Sequence, residues 1–243
     1  MRRPWPPAAA PLAAAMLALL GGSSPRAPAL KNPSAECGRR PVMNELEIGN
    51  RIIGGRDAQL GAWPWQVSLQ IYHPHIGYRH ICGGSLISNN LVLTAAHCIK
   101  NNRDPDIWRA VIGMHHLYKD NSYTVKSQIK AILIHSDFQP GTYDNDVALF
   151  KLITFVKYNA YIQPICLPDT SPLLSDETPC YISGWGHTKE NGQGEHILQE
   201  AQVDIIPLRV CNQNDWYAGT IPRNIICAGS ESGTVDSCQV KMR

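Results

Sequence analysis

The sequence is short of several things, and each shortage removes a class of protein. It has only three phenylalanines, and no uninterrupted apolar run approaches the ~20 residues that a helix needs to cross a bilayer. There is no internal repeat, which argues against solenoids and propellers. Charge of either sign is not in excess: 22 Lys and Arg face 20 Asp and Glu, for a net charge of +2. The basic residues are scattered rather than gathered into a stripe, so neither a nucleic acid nor a membrane surface is indicated as a partner. The close-set cysteine pairs typical of zinc sites are also missing.

What is present begins with the first residues. Arg2 and Arg3 precede the apolar stretch "AAAPLAAAMLALL", Ala8 to Leu20, and small residues "GGSS" follow. That is the layout of a secretory signal peptide, here residues 1–22, and Pro11 inside the stretch weakens the reading as a membrane anchor. Export sends the chain into the secretory pathway, to the extracellular space or a vesicle. It also makes the eight cysteines candidates for disulfides rather than metal ligands. Residues 23–51 are rich in Pro, Arg and small polar side chains without periodic apolar positions and read as a cleavable propeptide or linker.

From residue 52 to 243 the texture changes. Short apolar runs rich in Val and Ile, among them "WQVSLQI", "GGSLI", "LVLTAA", "RAVIG", "QIKAILIH", "DVALFKL", "CYISGWG", "LQEAQVDII" and "IICAG", are split by Gly, Pro and Asn. Their length and spacing predict an all-β sandwich or barrel. Only "PLRVCNQN", Pro207 to Asn214, reads as helix, with Pro at its start.

Two residues carry chemistry jointly. Asp146 stands at the head of "DVALF", where a carboxylate entering a buried strand is costly without an ionic or hydrogen-bonding partner. His97, in "LTAAHC", is a suitable one. In such a pair the carboxylate orients the imidazole and the remaining ring nitrogen acts as a general base toward a hydroxyl. The bland alternatives are a strand cap and an inert structural histidine. A zinc reading of Cys82, His97 and Cys98 is disfavoured by the cysteine spacing.

The order of the motifs is more specific. "RIIGG", "WPWQVSL", "CGGSLI", "LTAAHC", "DNDVALFKL", "QPICLP", "CYISGWG" and "DSCQ" follow one another between Arg51 and Gln239. Over that whole span the sequence resembles the trypsin-like serine proteases. "RIIGG", "GAWPW", "CNQNDWYAGTIP" and "IICAG" add a narrower likeness to the acrosin-type and testis-type members of that family.

The resemblance implies an all-β fold of two six-stranded antiparallel barrels with the active site between them. His97 would be the general base, Asp146 its orienter, and Asp236 the floor of a pocket for a substrate Arg or Lys. The bond between Arg51 and Ile52 would be a zymogen activation site, the new Ile52 ammonium turning inward to an aspartate beside the nucleophile. Cys37 would pair with Cys166, Cys82 with Cys98 and Cys211 with Cys227, leaving Cys180 and Cys238 unpaired. In the family "DSCQ" continues as "GDSGGP", supplying an oxyanion-hole glycine and the nucleophilic serine; here Val240, Lys241, Met242 and Arg243 follow. The second barrel would then be incomplete and these residues alone inactive, in a truncated product of a longer trypsin-type endopeptidase gene. The rival reading is a secreted, non-catalytic binding protein built on the same scaffold.

No motif calls for a cofactor. Some relatives bind calcium in the loop matching Gly113 to Ser127, but Asp120 is its only carboxylate here, so no calcium site is expected. His73, His75, His115 and His116 read as solvated loop residues rather than metal ligands.

Overall fold

The computed structural model describes residues 37–43, 55–99, 102–168, 180–186, 195–223 and 225–229. Strands β1 (Arg56–Asp57), β2 (Gln66–His73), β3 (Gly77–Ser88), β4 (Leu91–Thr94), β5 (Trp108–Ile112), β6 (Val125–Ile134) and β7 (Ala148–Leu152) come first. β8 (Cys180–Gly184), β9 (Gln199–Ile206), helix α1 (Leu208–Cys211) and β10 (Cys227–Gly229) follow. The short helix falls inside the predicted segment, with Pro207 as its N-cap.

Strands β2, β3, β4, β7, β6 and β5 close into an antiparallel barrel in that order, β5 returning to pair with β2. Closure leaves no edge strand exposed. Alternation along each strand sorts the side chains into two faces. Val67, Leu69 and Ile71 of β2, Ala110 and Ile112 of β5, and Phe150 and Leu152 of β7 point inward and are buried. Trp108 and Phe150 meet edge to face at 5.2 Å between ring centroids, a geometry that adds to their area burial.

Gly84 and Gly113 are required by this packing. A Cβ on Gly84 would lie 2.8 Å from Val92 Cγ1 and 3.0 Å from the Leu93 carbonyl. Gly113 has φ +71°, and a Cβ there would meet the Tyr123 carbonyl at 2.8 Å.

β3 is longer than the sequence predicts, starting at Gly77 rather than Gly83. Its first half, "GYRHIC", carries polar side chains that gave no apolar signal. β6 likewise begins at Val125, before the predicted Gln128, and β4 stops at Thr94 instead of running to Ala96. β1 was not foreseen; two exposed charged residues form no pattern.

The later strands form an antiparallel sheet in which β9 pairs with β8 along one edge and with β1 and β10 along the other. Among the described residues this second sheet is open, the incomplete counterpart of the closed barrel. Glu200 of β9, 6% exposed, fastens it: its carboxylate accepts from Arg56 Nε at 2.8 Å and from Trp63 Nε1 at 2.8 Å. Ser183 Oγ donates to Gln66 Oε1 at 2.9 Å, tying β8 to β2. The outward-facing Val111 is covered by Ala58, Met114, Trp185 and Leu198.

Residues 37–43 lie against the same body. Gly38 N donates to the Pro164 carbonyl at 2.8 Å, Arg40 Nε to the Ala62 carbonyl at 2.6 Å, and the Arg40 guanidinium sits 4.3 Å over the Trp63 ring. No helix among the described residues is long and apolar enough to cross a membrane.

Candidate active site

Strand register brings the two chemical residues together. β4 and β7 pair with Thr94 opposite Ala148, so the three residues after Thr94 and the two before Ala148 emerge at the same end of the barrel. His97 lies on the 3-10 turn Ala96–Cys98, anchored by the fully buried Ala96. Asp146 follows Asn145, which takes φ +54° and donates from Nδ2 to the Asp137 carbonyl at 3.1 Å. A short polar residue tolerates that left-handed backbone best.

The Asp146 carboxylate holds His97 at two points. Oδ2 lies 2.6 Å from ring Nδ1, and Oδ1 accepts from the His97 backbone N–H at 2.7 Å. The two-point grip fixes the ring's orientation. With Nδ1–H directed at a carboxylate, the lone pair of the neutral ring resides on Nε2. The side chains are 35% and 21% exposed, so the pair is shielded yet reachable.

The Cys82–Cys98 disulfide braces the histidine turn from β3. Donor atoms of Cys82, His97 and Cys98 converge, but the two sulfurs are bonded to each other and have no thiolate to offer a metal. The Cys37–Cys166 and Cys211–Cys227 disulfides are formed as well, and Cys180 is free and half-buried. Arg51, Ile52, Asp236 and Cys238 lie outside the described residues.

Tyr143 belongs to this site and was not singled out from the sequence. Its ring stands edge to face against His97 at 5.7 Å between centroids. Its φ of +60° is unusual for an aromatic residue and is held by a tight turn, in which Tyr143 N donates to the Gln139 carbonyl at 2.8 Å and Gln139 N to the Asp144 carbonyl at 3.0 Å. Only the Gly141 in "PGTYDND" hints at a turn there. A cavity of about 470 Å³ that neither His97 nor Asp146 lines opens between the barrel and β8, bounded by Gly83, Gly84, Leu93, Thr94, Tyr181 and Ile182 among others.

A second polar group sits on the outward face of the barrel. His80 Nδ1 is 2.8 Å from Ser68 Oγ, Ser68 Oγ accepts from Gln70 Nε2 at 3.0 Å, and Gln70 Oε1 accepts from Arg109 Nε at 2.8 Å. Trp185 covers His80 edge on at 5.4 Å. Burial lowers the His80 pKa from 6.5 to about 4.

The loop histidines divide. His73 and His75 are exposed, as expected. His115 is not a solvated residue: its Nδ1 is buried without a hydrogen-bond partner, because Leu198 N and Trp185 Nε1 both bond its carbonyl and draw it under the second sheet. Burial accordingly lowers its pKa. His116 is half-buried too, its Nδ1 accepting from Tyr118 N and its ring facing His196. In the loop considered for calcium, Asp120 is paired with Lys126 at 2.5 Å.

Comparison with known proteins matches residues 52–240 to the trypsin family. The atrial natriuretic peptide-converting enzyme of Rattus norvegicus is 40% identical over 205 residues, which is 84% of this chain and 18% of the rat protein. Its Mus musculus counterpart is 40% identical over 203 residues, 84% of this chain and 17% of the mouse protein. The chain therefore spans under a fifth of the length of these relatives.

Proposed function

Since the chain belongs to the trypsin family, we propose that it carries the base-and-orienter half of a serine endopeptidase that cleaves after Arg or Lys. The observation that carries this reading is the two-point contact of Asp146 with His97, at 2.6 and 2.7 Å. A merely structural ion pair has no need to fix both the backbone and the ring of one histidine whose side chain stays 35% exposed.

His97 Nε2 accepts the proton of a serine hydroxyl as that oxygen attacks the scissile carbonyl, and later returns it to the leaving amine. Asp146 stays ionised and stabilises the imidazolium through Nδ1–H. Asp236 meets the substrate's guanidinium or ammonium group in the primary pocket, where a buried carboxylate selects a basic side chain. The substrates are proteins or peptides containing Arg or Lys. Cleavage after Arg51 frees the Ile52 ammonium to pair inward, and the Cys37–Cys166 bridge keeps the leader attached afterwards.

The serine and its oxyanion donors belong to the "GDSGGP" stretch, which is not found after "DSCQ" in these 243 residues. A polypeptide of these residues alone is expected to hydrolyse nothing, because without the hydroxyl no acyl-enzyme forms. The activity belongs to a form whose sequence continues past Gln239 with that motif, exported by residues 1–22 to an extracellular or vesicular compartment. The decisive experiment joins such a continuation to Gln239, cuts after Arg51 and measures hydrolysis of an arginine ester. Turnover that vanishes in His97→Ala supports the proposal. A folded, cleaved protein without turnover refutes it.

A further inference from the structure

Among the described residues, the outward face of the barrel is covered by the second sheet only at one end, around Val111, Ser68 and His80. At the other end it is open, and there the strand register sets out a row of large side chains. Tyr72 of β2 pairs with Tyr78 of β3, Gln70 of β2 with Arg109 of β5, and Arg109 with Gln128 of β6. These side chains are already locked together. The two tyrosine rings meet at 5.3 Å, the Arg109 guanidinium carbon lies 3.9 Å over the Tyr78 ring, and Gln128 Nε2 donates to the Tyr78 hydroxyl at 3.1 Å.

Arg109 is pinned through Nε to Gln70 Oε1, and its two terminal nitrogens have no hydrogen-bond acceptor among the described residues. Around it Tyr72 is 49% exposed and Ile76, at the tip of the β2–β3 turn, 67% exposed. Lys126 and Lys130 stand exposed on the neighbouring β6, and the nearby carboxylate, Asp120, is already taken by Lys126.

From this arrangement we infer that the Tyr72, Tyr78, Arg109 and Gln128 face is a docking surface for an extended, acidic peptide segment of a protein partner. A carboxylate of the segment takes the free fork of Arg109 in two parallel hydrogen bonds. An apolar or aromatic side chain beside it lies on Tyr72 and Ile76, and a further carboxylate meets Lys130, Lys126 being held by Asp120. Because Arg109 is immobilised before the partner arrives, little side-chain entropy is lost on binding. One oriented guanidinium between aromatic rings suits the alternating side chains of a peptide better than a lipid headgroup layer, which calls for a broader cluster of flexible lysines. The surface lies on β2, β3, β5 and β6, whereas His97 and Asp146 project from the β4 and β7 ends, so the inference does not depend on the catalytic proposal.

Fluorescence anisotropy of the full chain with a labelled peptide of alternating Glu and Tyr tests it, beside a twin carrying Gln for Glu. The Glu peptide should bind and weaken with added salt, and the Gln twin should bind at least roughly tenfold less well. Arg109→Gln should lose about tenfold in affinity, and Arg109→Lys should recover only part of it. Tyr72→Ala and Lys130→Glu change exposed positions that the fold does not need, and each should also weaken binding. Unchanged affinity in Tyr72→Ala and Lys130→Glu, equal binding of the two peptides, or capture by phosphatidylserine vesicles without binding of the Glu peptide would each overturn the inference.

Discussion

Acidification should weaken this fold at His80. His80 titrates at about pH 4 in the folded protein against an ordinary 6.5, because Trp185 and the second sheet remove it from water and its bond to Ser68 does not need a charge. The unfolded chain therefore takes up the proton first. The stabilisation is complete above pH 6.5 and is lost as the pH falls from 6.5 toward 4. A shift of that size corresponds to roughly 3 kcal/mol, an upper value since the ring is not wholly enclosed. His80→Asn keeps an acceptor for Ser68 and removes the titration. Urea unfolding with disulfides intact, run at pH 7.5 and pH 4, gives four stabilities. Wild type should lose roughly 3 kcal/mol more than the variant on going to the lower pH. Parallel losses in the two proteins, or an NMR titration placing His80 near 6.5, would refute the reasoning.

Four other outcomes are expected. In the extended, cleaved protein Asp146→Asn should lower kcat for an arginine ester about 10⁴-fold, the known cost of the equivalent change in this protease family rather than a figure worked out from this geometry. Phe150→Ala, which empties the barrel beneath Trp108, should cost about 3–5 kcal/mol in urea unfolding. Gly113→Ala forces a Cβ into the Tyr123 carbonyl at a left-handed φ and should lower the unfolding free energy by about 1–3 kcal/mol, with no comparable effect for alanine at Gly77, where nothing lies within 4 Å, beyond the φ penalty. The Cys37–Cys166 bridge spans 129 residues, and replacing both by alanine should remove as much as roughly 5 kcal/mol in the chain-entropy picture. On a gel the same variant, cut after Arg51, should shed its leader without reductant.

How far the sequence could be read depended on whether a feature left a periodic or spaced trace. The inner face of the barrel did: Val67, Leu69 and Ile71 alternate with polar residues, and the strand that holds them appears where the pattern lies. The first half of β3 did not, because Tyr78 and His80 belong to an outward face whose partners are side chains of other strands, and the alternate position is Arg79. His97 and Asp146 were legible from their settings, and the Thr94 to Ala148 register explains why those settings converge. Tyr143 was not, since a positive φ leaves no mark on residue type when an aromatic adopts it. His115 was misjudged for a related reason: it is the carbonyl, common to every residue, that pulls it under Trp185.

The polar chain beneath Trp185 has a direction. Arg109 has only protons to give, so it compels the oxygen of the Gln70 amide to face it and the nitrogen to face Ser68. Ser68 then has its own hydrogen to pass on, which makes Nδ1 of His80 the receiver and leaves the ring's single proton on Nε2. A guanidinium three hydrogen bonds away from that imidazole thus writes its tautomer, and replacing Arg109 by methionine would let the whole line of dipoles reverse.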